Sequence, residues 1–289
     1  MKINSKFVTG IILNIIYIII EVFYGFRGHS LALVADAGHN LSDVLALFLS
    51  WLAFNLGNFA ATKKRTYGYK GLSNLTAFGN AIFILIAIGG IVVEAINRFF
   101  SPEKFIDSMD IIIVSIVGIF INGITTFLFI NKKDNDLNIK SVFIHMLSDT
   151  FVSIGVAISG LIMLFTHLYW IDPLISIVIS IAIFFETWNL LIKSFNLSIN
   201  SVPDDINIDD IKHYLLKIPT VIGVHDLHVW GMSTTENALT VHLIRNTLED
   251  NNYFIKKINN DLTKNFDICH ITIQVELGKI KNESTDNSI

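Results

Sequence analysis

Long apolar stretches, separated by short polar segments, fill the first two thirds of the sequence. They are residues 7–26, 31–56, 73–98, 109–131, 140–166 and 171–193. An α-helix rises about 1.5 Å per residue, so each stretch is long enough to cross the roughly 30 Å hydrocarbon core of a bilayer. The pattern therefore predicts an α-helical membrane protein with six transmembrane helices.

The last third of the chain has the pattern of a small α/β domain. The predicted elements are a helix at Asp209–Lys217, strands at Gly223–Met232 and Asn237–Arg245, a helix at Leu248–Phe266 and a strand at His270–Leu277. This α-β-β-α-β order predicts a three-stranded sheet with two helices on one face. The predicted domains are 1–195 (six-helix membrane domain), 196–203 (linker), 204–279 (cytoplasmic domain) and 280–289 (disordered tail).

Basic residues between the spans set the predicted orientation. Lys2, Lys6, Lys63, Lys64, Arg65, Lys70, Lys132, Lys133, Lys140 and Lys193 fall on one side, and Arg27, Arg98 and Lys104 on the other. Because basic residues concentrate on the cytoplasmic side, both termini are predicted to be cytoplasmic. His167 and Asp172, in the turn between the last two spans, are then predicted to be surface residues on the outer side.

Composition agrees with a membrane protein and excludes other classes. Of the 289 residues, 52% are hydrophobic and only 16% are charged, with a mean hydropathy of +0.57. The net charge of −4 and the absence of a basic face argue against a nucleic-acid partner. The single cysteine, Cys269, excludes a disulfide framework or a four-cysteine zinc site within one chain.

A polar stripe interrupts the second span, and part of it recurs in the fifth. Asp36, His39 and Asp43 are the ionisable members of the stripe, and His145 and Asp149 repeat the spacing of four. Carboxylates inside a bilayer cost about 2.5–3.5 kcal/mol on insertion scales and are functional by default. If the two helices face each other, His39, Asp43, His145 and Asp149 form a four-ligand set suited to tetrahedral Zn²⁺.

Two acidic residues near that set have several interpretations. Glu21, in the first span, either reaches water near the outer interface beside Arg27 or lines the cation path and relays protons. Asp36 is a third ligand, a partner that orients His39, or a proton-binding group at the outer mouth. The sequence does not choose among these roles.

Histidines are dense in the predicted cytoplasmic domain. They are His213, His225, His228, His242 and His270. Strand alternation puts His242 and Glu276 on the sheet face that does not face the core. These histidines are either solvated or interface residues, or part of a cytoplasmic zinc site, possibly one completed by a second subunit.

Several motifs in order resemble the cation diffusion facilitator family, most closely its zinc/cadmium/cobalt efflux branch. They are Ser30-Leu-Ala-Leu-Val-Ala-Asp-Ala-Gly-His-Asn-Leu-Ser-Asp43, Arg65-Thr-Tyr-Gly-Tyr69, His145-Met-Leu-Ser-Asp149, Trp170-Ile-Asp-Pro173, His225-Asp-Leu-His-Val-Trp230 and Thr272-Ile-Gln-Val-Glu276. The resemblance runs from Lys6 to Gly278. It implies a homodimer with six transmembrane helices and a ferredoxin-like cytoplasmic domain, which exports a divalent cation in exchange for protons and is not an enzyme.

The resemblance also implies site residues and shows three departures. It assigns the transport site to His39, Asp43, His145 and Asp149, and a cytoplasmic metal site, which would hold regulatory Zn²⁺, to His225, His242 and Glu276. The loop between the second and third spans lacks metal ligands, and the loop between the fourth and fifth lacks a histidine tract. Lys70 matches a lysine of dimer contacts in relatives, but Ile199 and Asn200 stand where its acidic partner is expected.

The sequence therefore predicts a zinc efflux transporter in a lipid bilayer. Its predicted partners are Zn²⁺ and protons, and no cofactor is expected. Two alternatives come from other classes. A membrane-anchored metal sensor would use the cytoplasmic domain as its active part. An intramembrane metalloprotease would need a motif such as His-Glu-x-x-His, which the sequence lacks.

Overall fold

A computed structural model describes residues 5–57, 61–101, 106–129 and 137–278. Within these ranges, the side chains of residues 125–146 and of several other helical residues are outside the description. The predicted disordered tail at 280–289 also lies outside the described residues.

The described residues of the first two thirds form long helices where the apolar stretches predict them. They are α1 (Ser5–Arg27), α2 (Leu31–Gly57), α3 (Leu72–Phe100), α4 (Ser108–Phe129), α5 (Leu137–Thr166) and α6 (Ile171–Ser198). Each predicted boundary is within a few residues of the observed one, except that α6 continues into the predicted linker.

Three described segments are long and apolar enough to cross a membrane: Leu72–Phe100, Leu147–Thr166 and Ile171–Ser198. Ser108–Ile124 is a shorter apolar helix. The protein therefore has a helical transmembrane part, as predicted, and the total of six spans stays a prediction.

Contacts divide the chain into two compact units. The first comprises residues 1–48 and 79–190, and the second comprises 49–78 and 191–289. In the first unit, α4 packs closely against α5 and also contacts α1. A Cβ on Gly118 of α4 would overlap the buried Tyr17 hydroxyl of α1, so a glycine is needed where these helices meet.

The second unit contains the predicted α-β-β-α-β domain. Its elements are α7 (Ile208–Leu216), β1 (Val221–Gly231), β2 (Asn237–Arg245), α8 (Asn251–Phe266) and β3 (Ile268–Leu277). The sheet order is β1-β2-β3, with β1 and β2 antiparallel and β2 and β3 parallel. Apolar side chains of both helices and one sheet face form the core, which leaves the polar positions of β2 and β3 on the other face.

The segment between α2 and α3 and the first turn of α3 bond to the hairpin between β1 and β2 within the second unit. Lys70 Nζ donates to Glu236 Oε2, and Thr234 N donates to Ser73 Oγ at 3.1 Å. Lys70 thus has an acidic partner within its own chain, which is not at Ile199 or Asn200. The sequence did not reveal it because the two residues lie 166 positions apart and meet only through the fold.

Candidate metal-binding sites

Two of the predicted donors lie on one side of α2. His39 Nε2 is 4.0 Å from Asp43 Oδ2, as expected for residues four apart on a helix. His39 is buried, and Asp43 is partly exposed. The imidazole is therefore held in the protein interior, while the carboxylate of Asp43 remains accessible from one side.

The fifth helix brings a second carboxylate to the same imidazole. Asp149 is buried, and its Oδ1 lies 3.1 Å from His39 Nε2. One donor atom from each of His39, Asp43 and Asp149 lies within 4.8 Å of the other two. Donors about 2.0–2.2 Å from a tetrahedral Zn²⁺ stand roughly 3.3 Å apart, so small side-chain movements would close this group on one ion.

The fourth predicted donor is on the same helix as Asp149. The backbone of α5 is helical at His145, four residues before Asp149. The side chain of His145 lies outside the described part of the structure. Its role as a ligand therefore stays a prediction from the sequence.

Glu21 does not reach water, so one of its two interpretations is wrong. The side chain is 0% exposed, and Asn40 Nδ2 donates a hydrogen bond to Glu21 Oε2 at 2.9 Å. Arg27 is the expected neighbour of Glu21 at the interface. Its Nε atom lies instead 3.8 Å from Asp110 Oδ2. Glu21 faces α2, where Asn40 holds it inside the first unit.

Asp36 lies with Glu21 and outside the close group of three donors. It is 1% exposed, and Ser153 Oγ donates to Asp36 Oδ2 at 3.5 Å. Asn40, which holds Glu21, lies four residues after Asp36 on the same helix. The structure therefore places the two extra acidic residues of the sequence in the same buried region of the first unit.

Asp172 corrects another prediction. The sequence suggested an outer surface residue, but Asp172 is 0% exposed. Its carboxylate accepts hydrogen bonds from Ser30 Oγ at 2.5 Å, Leu31 N at 2.7 Å and Ala32 N at 3.3 Å. Asp172 of α6 thus caps the first turn of α2, whose backbone N–H groups have no partner within the helix. His167 is exposed, as predicted.

The cytoplasmic domain brings its three predicted donors together on the polar sheet face. Glu276 Oε1 lies 3.2 Å from His242 Nδ1, and Glu276 Oε2 lies 3.3 Å from His225 Nε2. All three side chains are partly exposed, and their donor atoms lie within 4.8 Å of one another. The other histidines of the domain, His213, His228 and His270, are exposed and do not belong to this group.

A neighbouring carboxylate was missed from the sequence. Asp226 Oδ2 lies 3.4 Å from His242 Nε2, on the opposite side of the ring from Glu276. Asp226 sits at an irregularity of β1 with φ 51°, which departs from strand geometry and turns its side chain toward β2. A carboxylate at one ring nitrogen keeps a proton there and leaves the other nitrogen free for a metal.

Glu276 is held in its charged form. Burial opposes ionisation, but hydrogen bonds from Gln274 and His225, together with the two nearby imidazoles, lower the pKa of Glu276 below its usual range. A metal ligand must be deprotonated, and this lowered pKa leaves the Glu276 carboxylate available to a cation once the imidazoles are neutral.

Two family models together cover nearly the whole chain. One describes the cation efflux transmembrane domain and matches residues 7–197. The other describes the cytoplasmic domain of cation efflux proteins and matches residues 203–277. The chain belongs to the cation efflux family.

Curated relatives of this cation efflux protein match along most of their length. The metal cation efflux system protein CzcD of Cupriavidus metallidurans is 34% identical over 91% of this chain and 83% of its own. The cadmium, cobalt and zinc/H⁺-K⁺ antiporter of Bacillus subtilis is 32% identical over 90% and 85%. Zinc transporter ZitB of Escherichia coli is 32% identical over 90% and 83%.

One solved structure is similar to part of the chain. It is the metal-bound C-terminal domain of the CzcD transporter from Cupriavidus metallidurans, with 32% identity and a TM-score of 0.24. It covers 25% of this chain and all of that chain.

Family membership confirms the general predictions from the sequence. The protein is a multi-pass membrane transporter of the zinc, cadmium and cobalt branch, and it is not an enzyme. Its cytoplasmic domain is that of a family of homodimers. The residues that bind the transported ion are not assigned by these matches.

Proposed function

We propose that this cation efflux protein exports Zn²⁺ from the cytoplasm across the bacterial cell membrane in exchange for protons. One observation carries the proposal: His39 and Asp149 are buried on different helices, yet their donor atoms lie 3.1 Å apart with Asp43 beside them. Buried ionisable groups in contact are expensive unless they bind a charge together. A divalent cation that enters the group supplies that charge.

The chemistry of the donors favours zinc. Imidazole nitrogen and carboxylate oxygen are common zinc ligands, whereas a site with oxygen ligands alone would favour magnesium or manganese. Relatives named for zinc, cadmium and cobalt support the same class of ion. With His145 as fourth ligand, two neutral imidazoles and two carboxylates would cancel the charge of Zn²⁺.

Protons compete with the metal for the same groups. His39 binds a metal only when its ring nitrogen is unprotonated, and Asp43 and Asp149 bind it as carboxylates. Zinc from the cytoplasm therefore displaces protons from the site. After the helices rearrange to open the site outward, incoming protons displace the zinc, and the cycle repeats.

Zinc uptake into everted membrane vesicles tests this function. The vesicle interior corresponds to the outside of the cell, so an acidic interior should drive radioactive zinc into vesicles that contain the protein. A protonophore should abolish the uptake, and vesicles without the protein should show none. The absence of gradient-driven uptake would contradict the exporter and favour a membrane-anchored sensor.

We further propose that His225, His242 and Glu276 form a second, regulatory zinc site. The support is their position on one sheet face, the ionised state of Glu276 and the carboxylate of Asp226 beside His242. These groups lie in the cytoplasmic domain, where they can respond to the zinc concentration of the cytoplasm.

Replacing His242 with alanine should weaken this second site at least about tenfold, because even residues that only orient a ligand contribute roughly 10–100-fold. The measurement is zinc titration of the purified full chain carrying Asp149→Asn, so that binding reports the cytoplasmic donors. His213→Ala is the matched control, since His213 is exposed and bonds to its own helix at Asp209 O. Equal zinc affinity in both variants would contradict the second site.

A further inference from the structure

Two carboxyl groups of the first unit lie near each other away from water. Glu21 of α1 and Asp36 of α2 are almost fully buried, and Glu21 is bonded to α2 at Asn40, about one turn from Asp36. Asn40 donates to one oxygen of Glu21, and Ser153 donates to one oxygen of Asp36. In the described part of the chain, the other oxygen of each group receives no hydrogen bond of normal geometry.

A single proton explains this arrangement. Two neighbouring ionised carboxylates repel each other, and away from water the repulsion is weakly screened. A proton held between them removes one charge and satisfies the two remaining oxygens, since a protonated carboxyl group donates a hydrogen bond. Nothing about the arrangement calls for a metal, because neither carboxyl group belongs to the group of three donors found for His39.

We propose that Glu21 and Asp36 form a proton-binding site, separate from the metal donors, that carries one of the protons exchanged for the exported cation. The inference rests on the proposed exchange of Zn²⁺ for protons and names the residues that hold one of those protons. The pair binds one proton when the metal donors are empty. It gives that proton up when the cation is bound.

The position of the pair connects it to both helices of the metal group. Asp36 lies about one turn before His39 on α2, and Ser153 lies about one turn after Asp149 on α5. A movement of α2 against α5 therefore changes the surroundings of the pair and of the metal donors together. Both acidic residues lie toward the turn between α1 and α2, which is the predicted outer side.

The charges that act on the pair come from three helices. Tyr17 of α1 faces Glu21, and His39 of α2 and Asp149 of α5 act on Asp36 through their charges. Metal binding at His39 and Asp149 places two positive charges close to the pair and favours its loss of the proton. Release of the metal has the opposite effect, so the proton and the cation exclude each other as exchange requires.

Infrared spectroscopy of the purified full chain tests the site without transport. The wild type should show the C=O stretching band of a protonated carboxyl group, sensitive to D₂O and diminished by zinc. The band should be lost in Glu21→Gln and in Asp36→Asn and kept in Glu94→Gln, a matched control whose exposed carboxylate pairs with Arg98. The absence of a zinc-sensitive band from the wild type would overturn the proposal, even if both variants fail to fold.

Proton counting in proteoliposomes tests its role in exchange. Glu21→Gln should still bind zinc, because His39, Asp43 and Asp149 are intact, while the number of protons exchanged per zinc should fall by one. An unchanged proton-to-zinc ratio in Glu21→Gln would overturn the role of the pair. A wild type that moves zinc without protons would contradict the proposed function instead, so the two failures are distinguishable.

Discussion

Replacing Asp149 with asparagine is expected to lower zinc transport by at least about a hundredfold, since even groups that only orient metal ligands contribute roughly 10–100-fold to affinity. Asp149 supplies a buried negative charge 3.1 Å from His39 Nε2. The amide keeps the size of the side chain but removes its charge, so Zn²⁺ would enter an apolar environment with less compensation. Initial zinc uptake into everted vesicles, normalised to the protein present, measures the effect.

The matched control for this substitution is Asp205→Asn. Asp205 is an exposed carboxylate outside the membrane helices, so its loss changes the net charge equally without touching the donors. We expect Asp205→Asn to transport zinc at the wild-type rate and both variants to have wild-type thermal stability in detergent. Wild-type transport by a folded Asp149→Asn protein would refute the proposed transport site.

Replacing Asp172 with alanine should lower both stability and transport. The carboxylate accepts three hydrogen bonds at the start of α2, and its loss leaves the buried N–H groups of Leu31 and Ala32 without this acceptor. The loss of a cap costs about 1 kcal/mol, and the loss of hydrogen bonds to a charged buried acceptor raises the cost to about 2–3 kcal/mol. Because α2 carries His39 and Asp43, a displaced first turn should also reduce zinc transport. Thermal unfolding in detergent and vesicle uptake measure the two effects.

Asp107→Ala provides a comparison with a second helix cap. Asp107 Oδ1 accepts hydrogen bonds from Met109 N and Asp110 N at the start of α4, each 3.2 Å long. That cap is partly exposed and its helix carries no metal donor, so its removal should lower the unfolding temperature less and leave zinc transport intact. Equal loss of stability and of transport in the two variants would contradict a special role for Asp172.

The spacing of residues along the sequence predicted the local structure well. The bounds of the helices and strands depend on apolar runs and alternation, which are properties of neighbouring residues. The same holds for His39 and Asp43, since a spacing of four places two side chains on one side of any helix. The sharing of a sheet face by His242 and Glu276 also came from alternation, once both strands were correctly identified.

Contacts between distant residues limited the prediction. Asp172, and Glu21 in one of its two interpretations, were placed in water because of their short distance to a span end. Neither meets water, because Asn40 and the first turn of α2 supply buried partners that no spacing reveals. Asp226 was missed for a related reason, since its orientation depends on an irregularity in the pairing of β1 with β2.

The sequence by itself determined the class of protein, the positions of its elements and the chemical types that could bind a cation. It did so because hydrophobicity, helical spacing and strand alternation act over a few residues. Only the tertiary structure decided which charges meet. Asp149 lies beside His39, Asn40 bonds to Glu21, and Glu236 bonds to Lys70 because segments far apart in the chain pack together. The cost of burying a charge without a partner makes the two buried contacts specific.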